Sequence, residues 1–185
     1  MGKPIAGGVP AAVYGVTEGV AERIRELSRV DLADTGGIGG TLAANPLAAA
    51  AMRATLEVVL TDSAYQRTIP LAERFALGVE AVIAEHGLPW TVQRLGCRAE
   101  YWLRPVPPRN GEEAAAAMDP ELERYMHLAA LNRGILLTPF HNMALIAPAV
   151  TEADIDHHTE VFRESVAALT SGARLGVEVA ARPGL

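Results

Sequence analysis

A chain of 185 residues and 19.6 kDa is long enough for one domain with its own core, or for two small lobes. Half of the residues are hydrophobic and 21% are charged, which excludes an intrinsically disordered polymer. A formal charge of −6 and a pI near 5.4 give no basic field for nucleic acid or an anionic membrane, so an anionic ligand needs a local site.

Gly2, Pro4, Gly7, Gly8 and Pro10 crowd the first ten positions. Such residues usually connect elements, so the opening predicts that something upstream is absent. It lacks the charged start, apolar run and cleavage site of a signal peptide. Ala11-Ala12-Val13-Tyr14-Gly15-Val16 reads as a short buried strand. Thr17 can cap a helix to about Ser28, with Val20, Ile24 and Leu27 at helical spacing. The loop Gly36-Gly37-Ile38-Gly39-Gly40-Thr41 follows. Asn45-Pro46 opens an alanine-rich helix to about Val59, because asparagine caps and proline is tolerated at the first helical position. After a turn near Thr61 to Ser63, a helix carries Leu71, Phe75, Val79 and Val82 on one face and stops at Gly87-Leu88-Pro89.

From Trp90 the pattern changes. Thr91 to Leu95 and Arg98 to Leu103 read as strands, and the proline-rich loop Pro105 to Gly111 cannot sit in a central strand. Asp119-Pro120 starts a helix bearing Leu122, Tyr125, Met126 and Leu131, ended by Gly134. Ile135 to Thr138 and Ala144 to Ala147 are two more expected strands. Thr151-Glu152-Ala153-Asp154 has the form of a capping box, and Ile155, Phe162, Val166 and Leu169 make the buried stripe of a last helix that Gly172 ends. The remainder to Leu185 has no clear pattern and reads as a tail. No apolar run, Pro46 to Met52 included, approaches the ~20 residues that span a bilayer.

Several clusters carry possible chemistry. Asp154, Asp156, His157 and His158 offer metal-ligating types, but no second pair has ligand spacing, so a solvated helix face is expected. Cys97 is the single cysteine; it excludes an internal disulfide, points to a reducing cytoplasm, and lacks an evident partner base. Arg98 and Arg104 could clamp a carboxylate, although ion pairs within the fold are the expectation. Tyr101 and Trp102 are expected in a core or an interface. Lys3 by itself reads as an ordinary solvated lysine, and Thr41 as the start of a turn. The glycine run before Thr41 is neither a P-loop nor a dinucleotide fingerprint.

Three stretches in series change that reading. They are Gly2-Lys3-Pro4-Ile5-Ala6-Gly7-Gly8-Val9-Pro10 with Val13-Tyr14-Gly15; Gly40-Thr41-Leu42-Ala43-Ala44-Asn45-Pro46-Leu47-Ala48; and Leu131-Asn132-Arg133-Gly134-Ile135-Leu136-Leu137-Thr138-Pro139 with Thr151 to Asp156. In order and spacing they resemble the class III aminotransferases, and within them the glutamate-1-semialdehyde aminomutase branch. The resemblance covers nearly the whole chain.

The resemblance implies the C-terminal part of an α/β large domain of PLP-dependent transferase fold type I, plus a small α+β domain. Residues 1–62 would close the cofactor-binding domain, 63–89 form a linking helix, 90–172 the small domain and 173–185 a tail. It implies that Lys3 holds pyridoxal 5'-phosphate (PLP) as a Schiff base and then moves a proton between the substrate carbon and C4′, because a lysine amine can condense with an aldehyde. Thr41 would reach the phosphate of the neighbouring subunit, making the site a property of a homodimer. A small-molecule amino donor and acceptor, a cytoplasmic location, and no nucleic-acid or membrane partner complete the expectation. The resemblance implies that the loop of His141-Asn142 lies near the active-site entrance; His141 could touch substrate there, although a structural loop histidine is the expectation. Ala43-Ala44 stand where relatives often carry Ser-Gly, and Ala6 where a third glycine is common. The family's glycine-threonine phosphate motif, its ring-stacking aromatic and its ring-nitrogen aspartate precede the lysine and have no place here. The alternative expectation is therefore a non-catalytic or complementing half-enzyme that needs a separate N-terminal chain.

Overall fold

The computed structural model describes residues 1–28, 42–139 and 141–171. The chain divides into two units, Met1–Ala64 and Tyr65–Leu185. Thr41 with its glycine-rich loop, Gly172 and the expected tail lie outside the described residues.

In the first unit a 3-10 turn, Lys3–Ala6, precedes helix α1 (Glu18–Ser28) and helix α2 (Pro46–Ala54). Asn45 starts α2 as expected: its Oδ1 accepts from the backbone N–H of Leu47 (2.9 Å) and Ala48 (3.3 Å), and Pro46 needs no donor partner there. The α-helical winding stops at Ala54 rather than near Val59. Thr55–Val59 instead forms a π turn, closed by Leu60 N–H donating to Thr55 O at 2.9 Å. Buried Thr55 donates its hydroxyl to Ala51 O at 2.8 Å, the back-bond that accompanies local distortion of helices. Ile5 and Ala6 of the 3-10 turn are buried, and the turn packs on α2 and the π turn.

The strand expected over residues 11–16 does not form. That stretch is extended, and Met1 and Val13 exchange two backbone bonds of 2.7 and 2.8 Å, but no ladder continues them among the described residues. Val13, Tyr14 and Val16 are exposed, as is Val20 in α1. A buried strand needs neighbours on its edges and faces, and the described part of this unit contains no other strand.

The second unit holds α3 (Asp62–Glu85, whose first three residues belong to the first unit), α4 (Gly111–Ala116), α5 (Pro120–Leu131) and α6 (Glu152–Thr170), with strands β1 (Thr91–Leu95), β2 (Arg98–Trp102) and β3 (Met143–Leu145). The strands form one antiparallel sheet in the order β1-β2-β3, with Gln93 opposite Glu100 and Glu100 opposite Met143. The segment expected as a strand over 135–138 is a loop, and β3 starts one residue early at Met143. Helix α4 was not expected. Asn110 ends the proline-rich loop and caps it, accepting from Glu113 N–H at 2.9 Å. Thr151 and Asp154 do form the reciprocal capping box of α6.

Period-3.6 stripes on α3 and α6 place Phe75, Val79, Val82, Ile155, Phe162 and Val166 against Trp90, Ala99 and Tyr101 of the sheet side. Leu131 and Leu169 leave the expected stripes and are exposed. Gly78 has a steric role: a Cβ there would lie 2.4 Å from Thr159 Oγ1 and 3.0 Å from its Cγ2. Thr159 cannot swing freely, because it is β-branched and its hydroxyl donates to Ile155 O at 3.1 Å. Gly78→Ala should therefore destabilise the chain by about 1 kcal/mol or more even though alanine favours helix, and adding Thr159→Ala should recover most of that loss in urea melts.

His158 also departs from the expected solvated face. It is 5% exposed, 4.4 Å from the Phe75 ring and 6.0 Å from that of Phe162. Burial, with a smaller contribution from the charge on His157, pushes its pKa down from 6.5 to about 4. The folded state thus refuses a proton that the unfolded chain accepts. Stability is full above pH 6.5 and falls as pH drops from about 6.5 to about 4, by on the order of 3 kcal/mol. Urea melts at about pH 7.5 and about pH 4.5 should show most of that loss, and His158→Phe should flatten it.

Candidate functional site

The first unit gathers the lysine segment and the segment after Thr41 around one cleft. Residues 8–12 and Tyr14 line one side, and residues 42–45 with Ala48 and Met52 of α2 line the other, enclosing about 950 Å3. Lys3 opens the 3-10 turn that leads into this wall, and the structure describes its backbone there. The turn is followed by two glycines in the left-handed region, Gly7 (φ 58°) and Gly8 (φ 100°). A Cβ on Gly7 would come within 3.3 Å of Thr55 Oγ1, so glycine lets the turn sit on the π turn. A Cβ on Gly8 would meet nothing within 4 Å, and Gly8 lines the cleft. The backbone beside the lysine turn is therefore open to a ligand, in a space at the upper end of the roughly 300–1,000 Å3 of small-molecule sites. At these two points the residues present fit the cofactor that the resemblance implies.

In the second unit the other chemistry-bearing residues have partners within the fold. Arg98 and His141 both bind the buried Glu100 carboxylate, His141 Nδ1 at 3.2 Å from Glu100 Oε1. Arg104 donates to the Glu113 carbonyl at 3.2 Å, and Cys97 Sγ lies 2.9 Å from Thr68 Oγ1. Asp154 is spent on the α6 cap, and the hydrogen bonds from Thr151 hold its carboxyl below the usual range. Asp156 takes a bidentate contact from Arg74 (2.7 and 2.9 Å), which likewise lowers its pKa. His157 Nε2 bonds the Arg133 carbonyl at 2.9 Å. With His158 in the core, the four groups point to separate surroundings rather than to one ligand.

Residues 1–166 match the family Aminotransferase class-III. The chain belongs to this PLP-dependent family. The glutamate-1-semialdehyde 2,1-aminomutase of Thermus thermophilus is 32% identical over 168 residues, covering 90% of this chain and 38% of the relative. That of Thermomicrobium roseum is 33% identical over 173 residues, covering 93% and 39%. Among solved structures, a glutamate-1-semialdehyde aminomutase from Pseudomonas aeruginosa PAO1 superimposes with a TM-score of 0.84 at 45% identity over 91% of this chain and 38% of that one. A variant of such an enzyme from the same strain, solved in complex with PMP, gives the same TM-score at 44% identity. The chain thus spans 38–39% of the length of these relatives.

The composition singles out one side-chain amine. Lys3 is the only lysine among the 185 residues, and the other fifteen basic side chains are arginine. Arginine stays protonated and cannot condense with an aldehyde, so this chain offers a single side-chain amine, inside a family-matched segment.

Ala44 has a backbone conformation that its residue type disfavours. It is the one described non-glycine residue with positive φ, at 55°. The left-handed region costs an alanine about 1–2 kcal/mol, part of which glycine returns through its greater freedom when unfolded. Ala44→Gly should raise stability by roughly 0.5–1 kcal/mol, read as a higher urea midpoint at unchanged m value.

Proposed function

We propose that the chain forms the C-terminal part of a PLP-dependent transaminase or aminomutase, in which Lys3 carries the cofactor and amino groups pass between a small amino donor and acceptor. The reading rests on the lone lysine of the family-matched residues, whose backbone opens the turn leading through Gly7 to Gly8 on the wall of the cleft.

In this reading residues 1–62 end the cofactor-binding domain, 63–89 link, and 90–172 form the small domain. Lys3 would hold the cofactor through its side-chain amine, and as a free amine it would take and return a proton at the substrate carbon. When bound, PLP supplies the electron sink that makes that carbon acidic. Gly7 and Gly8 let the backbone pass close to the ligand, and the buried Ile5 and Ala6 keep the lysine turn from drifting. Thr41 would supply its hydroxyl and backbone N–H to the cofactor phosphate of a partner subunit, which would make a homodimer the working unit, with the cytoplasm as its compartment.

A second reading, a half-enzyme completed by a separate N-terminal chain, is favoured by the extended stretch 11–16, whose apolar side chains are exposed and which has no neighbouring strand among the described residues. Both readings make Lys3 the attachment point, and one experiment separates them from a remnant with no cofactor role. The chain is co-expressed with the part of the Pseudomonas aeruginosa relative that the match leaves uncovered, loaded with PLP and reduced with borohydride. One pyridoxyl group per chain is expected on Lys3, absent in Lys3→Ala and in the chain treated alone. A stable complex that labels only the α-amino group, or nothing, would overturn the assignment.

A further inference from the structure

Register sets Leu95, Arg98 and Leu145 in one row across the sheet, with Leu95 opposite Arg98 and Arg98 opposite Leu145. Residues directly opposite on antiparallel strands share a face, and successive residues alternate between faces. Ala99 and Tyr101, of the other parity on β2, face the core that α3 and α6 build. The row of Leu95, Arg98 and Leu145 therefore points away from both helices.

Coverage of that second face is uneven. Glu100 and Met143, two positions along it, are 5% and 7% exposed. Leu95 and Leu145 are 80% and 60% exposed, so the face is closed at one end and bare at the other. A sheet face that stays in water carries polar side chains; leucine at both ends of a row is the pattern of a face that becomes covered. The bare patch extends past the strand edge. Leu136, 80% exposed, lines with Leu145 a hollow of about 260 Å3 that Ile135 and Val150 also wall. Arg98, at the centre of the row, donates to Glu100 and keeps 47% of its side chain exposed.

Charge and chain length select the occupant. A second copy docked row on row about a twofold axis would set Arg98 against Arg98 at the centre, and like charges oppose that. The Pseudomonas aeruginosa relative superimposes on 91% of this chain, while this chain covers 38% of it, so a fold of that kind brings further chain. Resting on the reading of the chain as the C-terminal part of such an enzyme, we propose that the leucine face docks the part of that fold lying outside the match. It takes from that part a segment with apolar side chains on both sides of a carboxylate or carbonyl oxygen, which accepts from Arg98.

The full chain is co-expressed with the part of the Pseudomonas aeruginosa relative that the match leaves uncovered, and the affinity of the complex is measured for wild type and for Leu95→Glu/Leu145→Glu. Both leucines are exposed, so the double variant should keep its urea midpoint and lose at least about tenfold in affinity. Hydroxyl-radical footprinting, which needs no variant, should show Leu95, Leu136 and Leu145 protected in the wild-type complex relative to the free chain. Unchanged affinity, an unprotected face or the absence of any complex would overturn the proposal. Self-association of the wild-type chain that the double variant abolishes would make a second copy the occupant, and overturns it too. Borohydride labelling of Lys3 in the same complexes keeps the two readings apart. A labelled lysine with an unprotected leucine face sinks only this inference, and a protected face with an unlabelled lysine sinks only the assignment of Lys3.

Discussion

Phe162 on α6 meets Tyr101 and Trp90 edge-on, at 5.1 and 6.3 Å, and lies 6.0 Å from His158, which in turn packs on Phe75 of α3. This ring cluster locks two long helices to one face of a three-stranded sheet. Each good aromatic pair contributes about 0.5–1.5 kcal/mol beyond the area it buries, and the cluster closes only if α3 and α6 approach closely. Gly78 permits that approach at Thr159. The arrangement also carries a cost: His158 is held neutral, and the Tyr101 phenol lacks a partner in the fold.

The ion pairs decorate this core without creating it. Arg74 with Asp156 and Arg163 with Glu85 join α3 to α6 at the solvent edge. Exposed pairs of that kind hold a geometry that burial has already set. Glu100 differs because it is buried, so Arg98 and His141 are required partners: losing either would leave a charge poorly compensated inside the fold.

The first unit follows another logic. Among its described residues it buries Ile5, Ala6, Thr55 and Ala64, and Gly7 and Gly8 turn the backbone beside a cleft. The chain belongs to a PLP-dependent family, and its lone lysine lies within the matched residues. The Asn45 cap and the Pro46 start were legible because a cap is a local hydrogen bond between residues close in sequence. So were the α6 capping box and the stripes of α3 and α6, since helical periodicity is written directly in residue spacing.

What failed to read from sequence depended on distant chain. The strand expected at 11–16 needed a neighbour that no local pattern supplies, and 135–138 has strand-forming residues but forms no ladder. His158 looked like a surface residue beside Asp156 and His157, until the crossing of α3 and α6 put Phe75 against it. The family, the single side-chain amine and the start points of α2, α5 and α6 were written in the order of the residues, because they rest on side-chain chemistry and on bonds spanning a few positions. Which polar groups are buried, which lack partners and where space remains emerged with the packed fold, because those properties arise when surfaces far apart in the chain exclude water together.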